Sequence, residues 1–277
     1  MLGLVSPVLR ADELDTLQFR AGERLQYESN VFRLSESANA QALIGEPTRS
    51  DTAAITTVGV LLNKPYSLQR FELDVHADNY RYRRFSSLDF TALNYAAAWR
   101  WSLTPALHGN LTAERREFID TSADVQSLGQ VNRRTESAKP FDAEYELGSA
   151  VRLVGGFFDR RLTNSSPFTL EGDSSVQGAE AGLRYVFPSG SSLAYRYKRG
   201  SGDYPGRVPS AFSAASFKER EHELRLDWPI TGKTALQARL SHVDRAHDDL
   251  AARDFSGVTA QVQATWAATG KTQVAVG

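Results

Sequence analysis

The chain has 277 residues, no cysteine, one methionine, 10% aromatic residues and a formal net charge of -1. The absence of cysteine excludes a disulfide framework and any thiolate metal site, and the balanced charge gives no support for broad nucleic-acid binding. Apolar runs are too short for a transmembrane helix, yet a mean hydropathy of -0.38 is also what strands alternating between lipid and an aqueous interior would produce.

The amino end, MLGLVSPVLRADELD, is apolar up to Leu9 and then acidic. It resembles the last part of a secretory signal cleaved near Ala11, without the usual basic start; residues 1–11 are therefore expected to be a residual signal peptide and 12–277 a single domain. Alternation with period two then begins, the mark of a strand with one apolar and one polar face. Leu17, Phe19, Ala21, Leu25, Tyr27 and Val31 share one face, opposed by Gln18, Arg20, Arg24, Gln26 and Glu28, with Glu23 as the exception. Residues 34–51 read as a long polar loop. A strand over 52–62 leads to a turn at Pro65, and 68–84 sets Phe71, Leu73, Val75 and Ala77 against Arg70, Glu72, Asp74, His76 and Asp78.

Residues 89–102 carry Leu93, Tyr95, Ala97, Trp99 and Trp101 against Asn94, Ala96, Ala98 and Arg100. After Pro105, Leu107, Gly109, Leu111 and Ala113 oppose His108, Asn110, Thr112, Glu114 and Arg116. Residues 120–139 read as another polar loop, and 151–163 are ambiguous because VGGFFD is apolar on both sides. Later segments repeat the scheme with Leu183, Tyr185 and Phe187, then Leu193, Tyr195 and Tyr197, then His222, Leu224, Leu226 and Trp228 against Glu221, Glu223, Arg225 and Asp227. Val258, Ala260, Val262, Ala264 and Trp266 form the last full face, and 272–277 begin a further strand.

The tetrapeptide TGKT occurs twice, at 231–234 and 269–272. A phosphate-binding loop would need a glycine five residues before the Gly-Lys pair, where Asp227 and Thr265 stand, and a helix afterwards, where alternation resumes. TGKT is instead a hairpin turn. With Pro65, Pro105, Gly148, Gly190, Gly232 and Gly270 as centres, such turns recur every 38 to 43 residues. Each period holds two strands of about 10 to 16 residues, too few and too long for a propeller blade. Short turns alternate with longer polar loops (34–51, 120–139, 164–175, 200–216, 245–254), apart from the brief connection 85–88. About thirteen strands of bilayer-crossing length, with aromatics before the turns, describe an all-β, antiparallel, up-and-down transmembrane β-barrel. Trp99, Trp101, Phe187, Trp228 and Trp266 would form its turn-side aromatic girdle on the periplasmic side. The odd strand number and short last strand suggest a barrel incomplete at its carboxyl end.

The candidate solute path lies on the polar face: Arg70, Glu72, Asp74, His76, Asp78, Tyr80, Tyr82, Arg100, Glu114, Arg116, Arg184, Arg196, Glu219, Glu221, Glu223, Arg225 and Arg239. Cross-strand ion pairing inside a water-filled lumen explains these charges. So does a path for a polar solute, on which Tyr80, Tyr82 and Phe118 would stack on sugar rings, and the two are compatible. No G-x-S-x-G or H-E-x-x-H motif occurs, and the spacing of His242 and His247 is too loose for a zinc pair. No catalytic residue, metal site or cofactor is assigned.

The stretches YESNVFRLSE (27–36), 50–111 and AGLRYVFPSGSSLAYRY (181–197) resemble the EpsL outer-membrane proteins of exopolysaccharide operons, which accompany exosortase and PEP-CTERM sorting in Gram-negative bacteria. The resemblance covers most of the chain and is most specific over 27–111. It implies location in the outer membrane and a part in exopolysaccharide biosynthesis and export, with outer-membrane lipid, the polymer and periplasmic polysaccharide-export components as partners. It carries no catalytic residues. An outer-membrane enzyme acting on polysaccharide or lipid, and an adhesive or structural barrel, are the alternatives.

Overall fold

The computed structural model describes residues 3–5, 16–120, 132–165, 172–210, 212–270 and 272–277. Fifteen strands occur among them: β1 (Gly3–Val5), β2 (Leu17–Glu28), β3 (Asp51–Tyr66), β4 (Gln69–Tyr82), β5 (Phe90–Thr104), β6 (Leu107–Asp120), β7 (Asn132–Ala138), β8 (Phe141–Leu147), β9 (Val151–Asn164), β10 (Ser174–Val186), β11 (Ser192–Asp203), β12 (Ser216–Thr231), β13 (Thr234–His247), β14 (Phe255–Ala267) and β15 (Gln273–Val276). Neighbours in sequence are neighbours in the antiparallel ladder from β1 to β15, with β8 pairing β6 and β9. The fold is all-β and up-and-down, as the alternation implies. No helix among the described residues is long and apolar enough to cross a membrane.

β7 and β8 are two halves of one strand. Both pair with β6 and β9 in a register that runs unchanged through Lys139 and Pro140, and Pro140 interrupts the ladder because it has no N–H to donate. Residues 132–138 are thus strand, not the loop expected over 120–139; residues 121–131 lie outside the described residues. The stretch over 151–163, ambiguous in polarity, is the continuous strand β9. Of the expected signal peptide, Gly3–Val5 pairs with Arg24–Gln26 on β2, and its remainder, including the expected cleavage point, lies outside the described residues.

The chain divides into two compact units, one of Met1–Trp99, Thr112–Lys139 and Arg160–Ser174, the other of Arg100–Leu111, Pro140–Asp159 and Ser175–Gly277. In the first, the buried apolar cluster lies in the connections. Val31, Phe32, Leu34, Ala40, Phe85 and Leu88 pack together, with Phe32 edge-on to Phe85 at 4.7 Å. Val31 therefore belongs to this core, because β2 ends at Glu28. Residues 34–51 contain the helix α1 (Ala40–Ile44), capped by the Asn39 side chain accepting from Ala42 N. The buried Asp51 carboxylate accepts from the backbone N–H groups of Thr52, Arg84 and Phe85, which fixes the short connection 85–88 as a 3-10 turn against the cluster.

Most turns fall where expected, Gly148 and Gly190 both having positive φ. The first is displaced: Pro65 lies inside β3 opposite Arg70, and the reversal is at Ser67 and Leu68, with Ser67 at φ 54°. The first TGKT is the tight link between β12 and β13, where Lys233 N donates to Thr231 Oγ1. In the second, Thr269 and Thr272 exchange backbone hydrogen bonds, and Lys271 lies outside the described residues.

Candidate functional site

The two faces of the sheet are inverted relative to a water-soluble protein. In the first unit the apolar face is built of cross-strand rows, Leu17–Leu62–Leu73, Phe19–Val60–Val75 and Ala21–Val58–Ala77. In the second the corresponding rows are Tyr185–Leu193–Leu226–Ala238–Val262 and Leu183–Tyr195–Leu224–Leu240–Ala260. Many of these large apolar side chains are exposed, among them Phe19, Val58, Leu183, Leu224, Leu240 and Val262. The charged face holds the half-buried side chains, and they are ion-paired.

On the polar face of the first unit, Arg20 Nη2 lies 2.8 Å from Asp74 Oδ1, which also stands 2.9 Å from His76 Nδ1. His76 Nε2 is 3.5 Å from Asp78, whose carboxylate accepts from Thr57 Oγ1 and Asn94 Nδ2. Gly59 permits this arrangement. It lies between Arg20 and His76 in the cross-strand register, and a Cβ there would sit 2.7 Å from His76 Cβ and 2.8 Å from Val75 O. Asp74, His76, Asp78, Tyr80, Asn94, Glu114, Arg116 and Phe118 line a cavity of about 400 Å³. Tyr80 stacks on Phe90 at 4.4 Å, and the Arg116 guanidinium lies 5.0 Å from the Phe118 ring centre.

Beside this cavity the seam between β5 and β6 is bridged by side chains. Leu93 N donates to Glu117 Oε2, Arg115 donates to Leu93 O, and Glu117 N donates to Asn94 Oδ1. Arg115 and Arg133 flank Glu117 at 3.1 and 3.7 Å. Side chains thus occupy backbone groups that a regular ladder would use.

In the second unit the polar face is a ladder of pairs. Glu144 meets Arg184 at 2.8 Å and Arg152 at 3.7 Å, and Glu180 meets Arg196 at 2.8 Å. Lys198 lies 2.8 Å from Glu223 and 3.5 Å from Glu221, and Arg239 lies within 2.8 Å of both. Arg245 Nε donates to Glu219 Oε2 at 2.8 Å. The Glu223 side chain is only 6% exposed, and a carboxylate buried to that degree needs the two basic partners it has here to offset the cost of leaving water.

The remaining candidates are more dispersed. Arg70 pairs with Glu72 at 3.0 Å, Arg100 donates to Asn110, and Arg225 pairs with Asp227, all near the turns and all with exposed arginines. Tyr82 packs against the apolar cluster of the connections and, unlike Tyr80, does not line the cavity. Among the aromatics, Trp99, Phe187, Trp228 and Trp266 are exposed. Trp101 is not: it is 8% exposed, stacked on Phe141 at 5.8 Å and lying over Gly109. His242 and His247, considered above as a zinc pair, stand beside Asp244 and Asp254 respectively.

Sequence alternation missed a change of polarity along the apolar face. In the first unit the row after Ala21–Val58–Ala77 is Glu23–Thr56–Asn79, and Asn79 donates to Thr91 on β5. In the second the rows toward the long loops become Ala181–Tyr197–His222–His242–Val258 and then Ala179–Arg199–Arg220–Asp244–Ser256. Tyr195 Oη lies 2.7 Å from His222 Nδ1. The signal was present in the sequence, since Glu23, Arg199 and Arg220 all occupy apolar-face parity, but only the register places them at one level within each unit. No protein-family model matches the chain, and no curated protein matches it.

Proposed function

We propose that the protein is a β-barrel of the Gram-negative outer membrane whose polar face lines an aqueous path for export of an exopolysaccharide. The observation that carries this reading is the inversion of the two faces, with apolar rows exposed and charged rows half-buried and paired. The dimensions support it. Ile230 and Arg220 bound the apolar stretch of β12 ten positions apart, about 33 Å of strand at ~3.3 Å per residue, or about 25 Å across the bilayer at a tilt of ~40°. That is the height of a lipid-facing band.

The polymer enters through chemistry and through the resemblance to EpsL proteins. A wall whose acids are matched by bases has little net field, so it suits a solute recognised by hydrogen bonds more than by charge. The cavity at Asp74, His76, Asp78 and Tyr80 adds carboxylates beside an aromatic pair, the combination that hydroxyl-rich rings engage. In this reading the protein is a conduit that works with periplasmic export components, and no residue has a catalytic role.

The test is conduction in planar bilayers. Replacing Glu219, Glu221 and Glu223 by Gln removes negative charge from one wall, and the reversal potential in a salt gradient should move toward anion selectivity. Heat-modifiable gel mobility reports whether the variant is folded. Arg239→Gln, at a side chain 48% exposed, should shift selectivity the other way. An unchanged reversal potential in folded variants of both kinds would refute the conduit.

A further inference from the structure

Arg199 on β11 and Arg220 on β12 are direct cross-strand partners on the apolar face. Like charges opposite one another destabilise a sheet. The other basic side chains of β10 to β14 are answered: Arg184, Arg196, Lys198, Arg225, Arg239 and Arg245 each lie within 4 Å of a carboxylate, as does Lys218. Among the described residues Arg199 and Arg220 have no such partner. Asp244, the acid opposite Arg220 on β13, accepts from Ser256 Oγ at 2.6 Å and faces His242 at 3.5 Å, while Asp248 is engaged by Lys218 and Ser216. Both arginines are exposed, so the sheet presents two forked cations without an internal anion.

We propose that Arg199 and Arg220 bind the phosphate of a lipid headgroup in the leaflet on the loop side of the membrane. The inference rests on the barrel reading above. Two adjacent guanidiniums offer bidentate donors to phosphate oxygens, and an anion between them removes the repulsion. The level is also that of a headgroup: one row nearer the turns lie Tyr197 and His222, and beyond them the exposed Leu224. An anion carrying acyl chains would cover those apolar side chains as well as answer the charges, whereas free phosphate would answer the charges alone. That continuity favours a lipid over a soluble anion.

The experiment titrates the folded protein in neutral detergent with phosphatidic acid, counting bound lipid by native mass spectrometry. At about 1 kcal/mol per basic residue, the double variant Arg199→Gln, Arg220→Gln should bind about thirtyfold more weakly. Arg253→Gln, which removes a charge from the 3-10 turn Ala251–Arg253 between β13 and β14, should change binding less than about twofold, because that residue belongs to neither strand of the arginine pair. A large excess of inorganic phosphate should leave the lipid in place. Equal affinities for wild type and double variant would overturn the site, and displacement by inorganic phosphate would overturn the lipid assignment. Heat-modifiable mobility is read before lipid is added. If no folded band forms in detergent, the barrel reading falls and this site with it; if the band forms and the double variant still binds as wild type, the site alone falls.

Discussion

Placing arginine at Val262 separates a lipid-facing sheet from one in water, because the two environments give very different magnitudes. Val262 is 55% exposed and shares a cross-strand row with Ala238 and Leu226. In water, an exposed valine becomes arginine within about 0.5 kcal/mol. In lipid the depth of the row decides. Leu226 lies four positions from Ile230 and six from Arg220, about 13 and 20 Å along the strand, or about 10 and 15 Å across a bilayer at a tilt of ~40°. The row is thus close to the midplane, where an arginine costs about 2–4 kcal/mol, roughly thirtyfold to a thousandfold in the insertion equilibrium. Val258, one side chain of the His242 row nearer the loops, should cost about 0–1 kcal/mol. Urea titration of refolding into phosphatidylcholine vesicles, followed by heat-modifiable mobility, measures all three. Val262→Arg and Leu226→Arg should lower the midpoint strongly and Val258→Arg weakly. Equal effects at Val258 and Val262, or a change at Val262 within 0.5 kcal/mol, would refute the lipid-facing assignment.

Gly59→Val should destabilise the protein by about 1–3 kcal/mol, because the new Cβ meets His76 Cβ and Val75 O. In that background Asp74→Asn should cost less than it does alone, as a double-mutant cycle in urea would show. Trp101→Ala should lose about 3–5 kcal/mol by opening a void between Phe141 and Gly109, and Trp99→Ala, at an exposed ring, less than half as much; the reverse order would place Trp101 in the girdle after all. Hydrogen bonds from Lys218 and Ser216 hold the exposed Asp248 carboxyl below its usual value of 3.8. The contact is therefore fully present above that value and is lost as pH falls through the lower folded pKa. Proteolytic nicking of the 248–254 connection should rise in acid below about pH 4, and Asp248→Asn should remove that pH dependence.

Strand faces and most turns were legible because both rest on local rules. Side-chain alternation is fixed by the pleat, and Gly148, Gly190 and the Gly232–Lys233 link stand where short reversals need them. Pro65 misled because proline at a strand end looks like a turn, although the register carries β3 one residue further, to Tyr66. The connections were the least legible part. Val31, Leu34, Ala40 and Leu88 are spread among Ser, Ala and Asn, and nothing local says that they converge with Phe85 into one cluster sealed by Asp51. On the polar face the residue types were readable but their partners were not. Glu221 and Glu223 were visible as an acidic row, whereas Lys198 and Arg239 reach them from two neighbouring strands. Gly59 carries no signal in the sequence except as a gap in the alternation of β3.

Glu23 broke the alternation of β2 and looked like an irregularity, yet its register makes it part of a rule. It lies level with Thr56 and Asn79, directly after three rows that are apolar throughout. In the second unit, taken alone, the apolar face makes the same change on the loop side, through Tyr197 and His222 to Arg199 and Arg220. At the other end of β12 and β14 it closes with the exposed Trp228 and Trp266. A face packed on a protein core has no reason to change polarity at a fixed level on successive strands, since a core requires apolar side chains wherever it makes contact. A medium of finite thickness imposes such levels on every strand that crosses it, apolar through its middle, aromatic and then charged at its boundary.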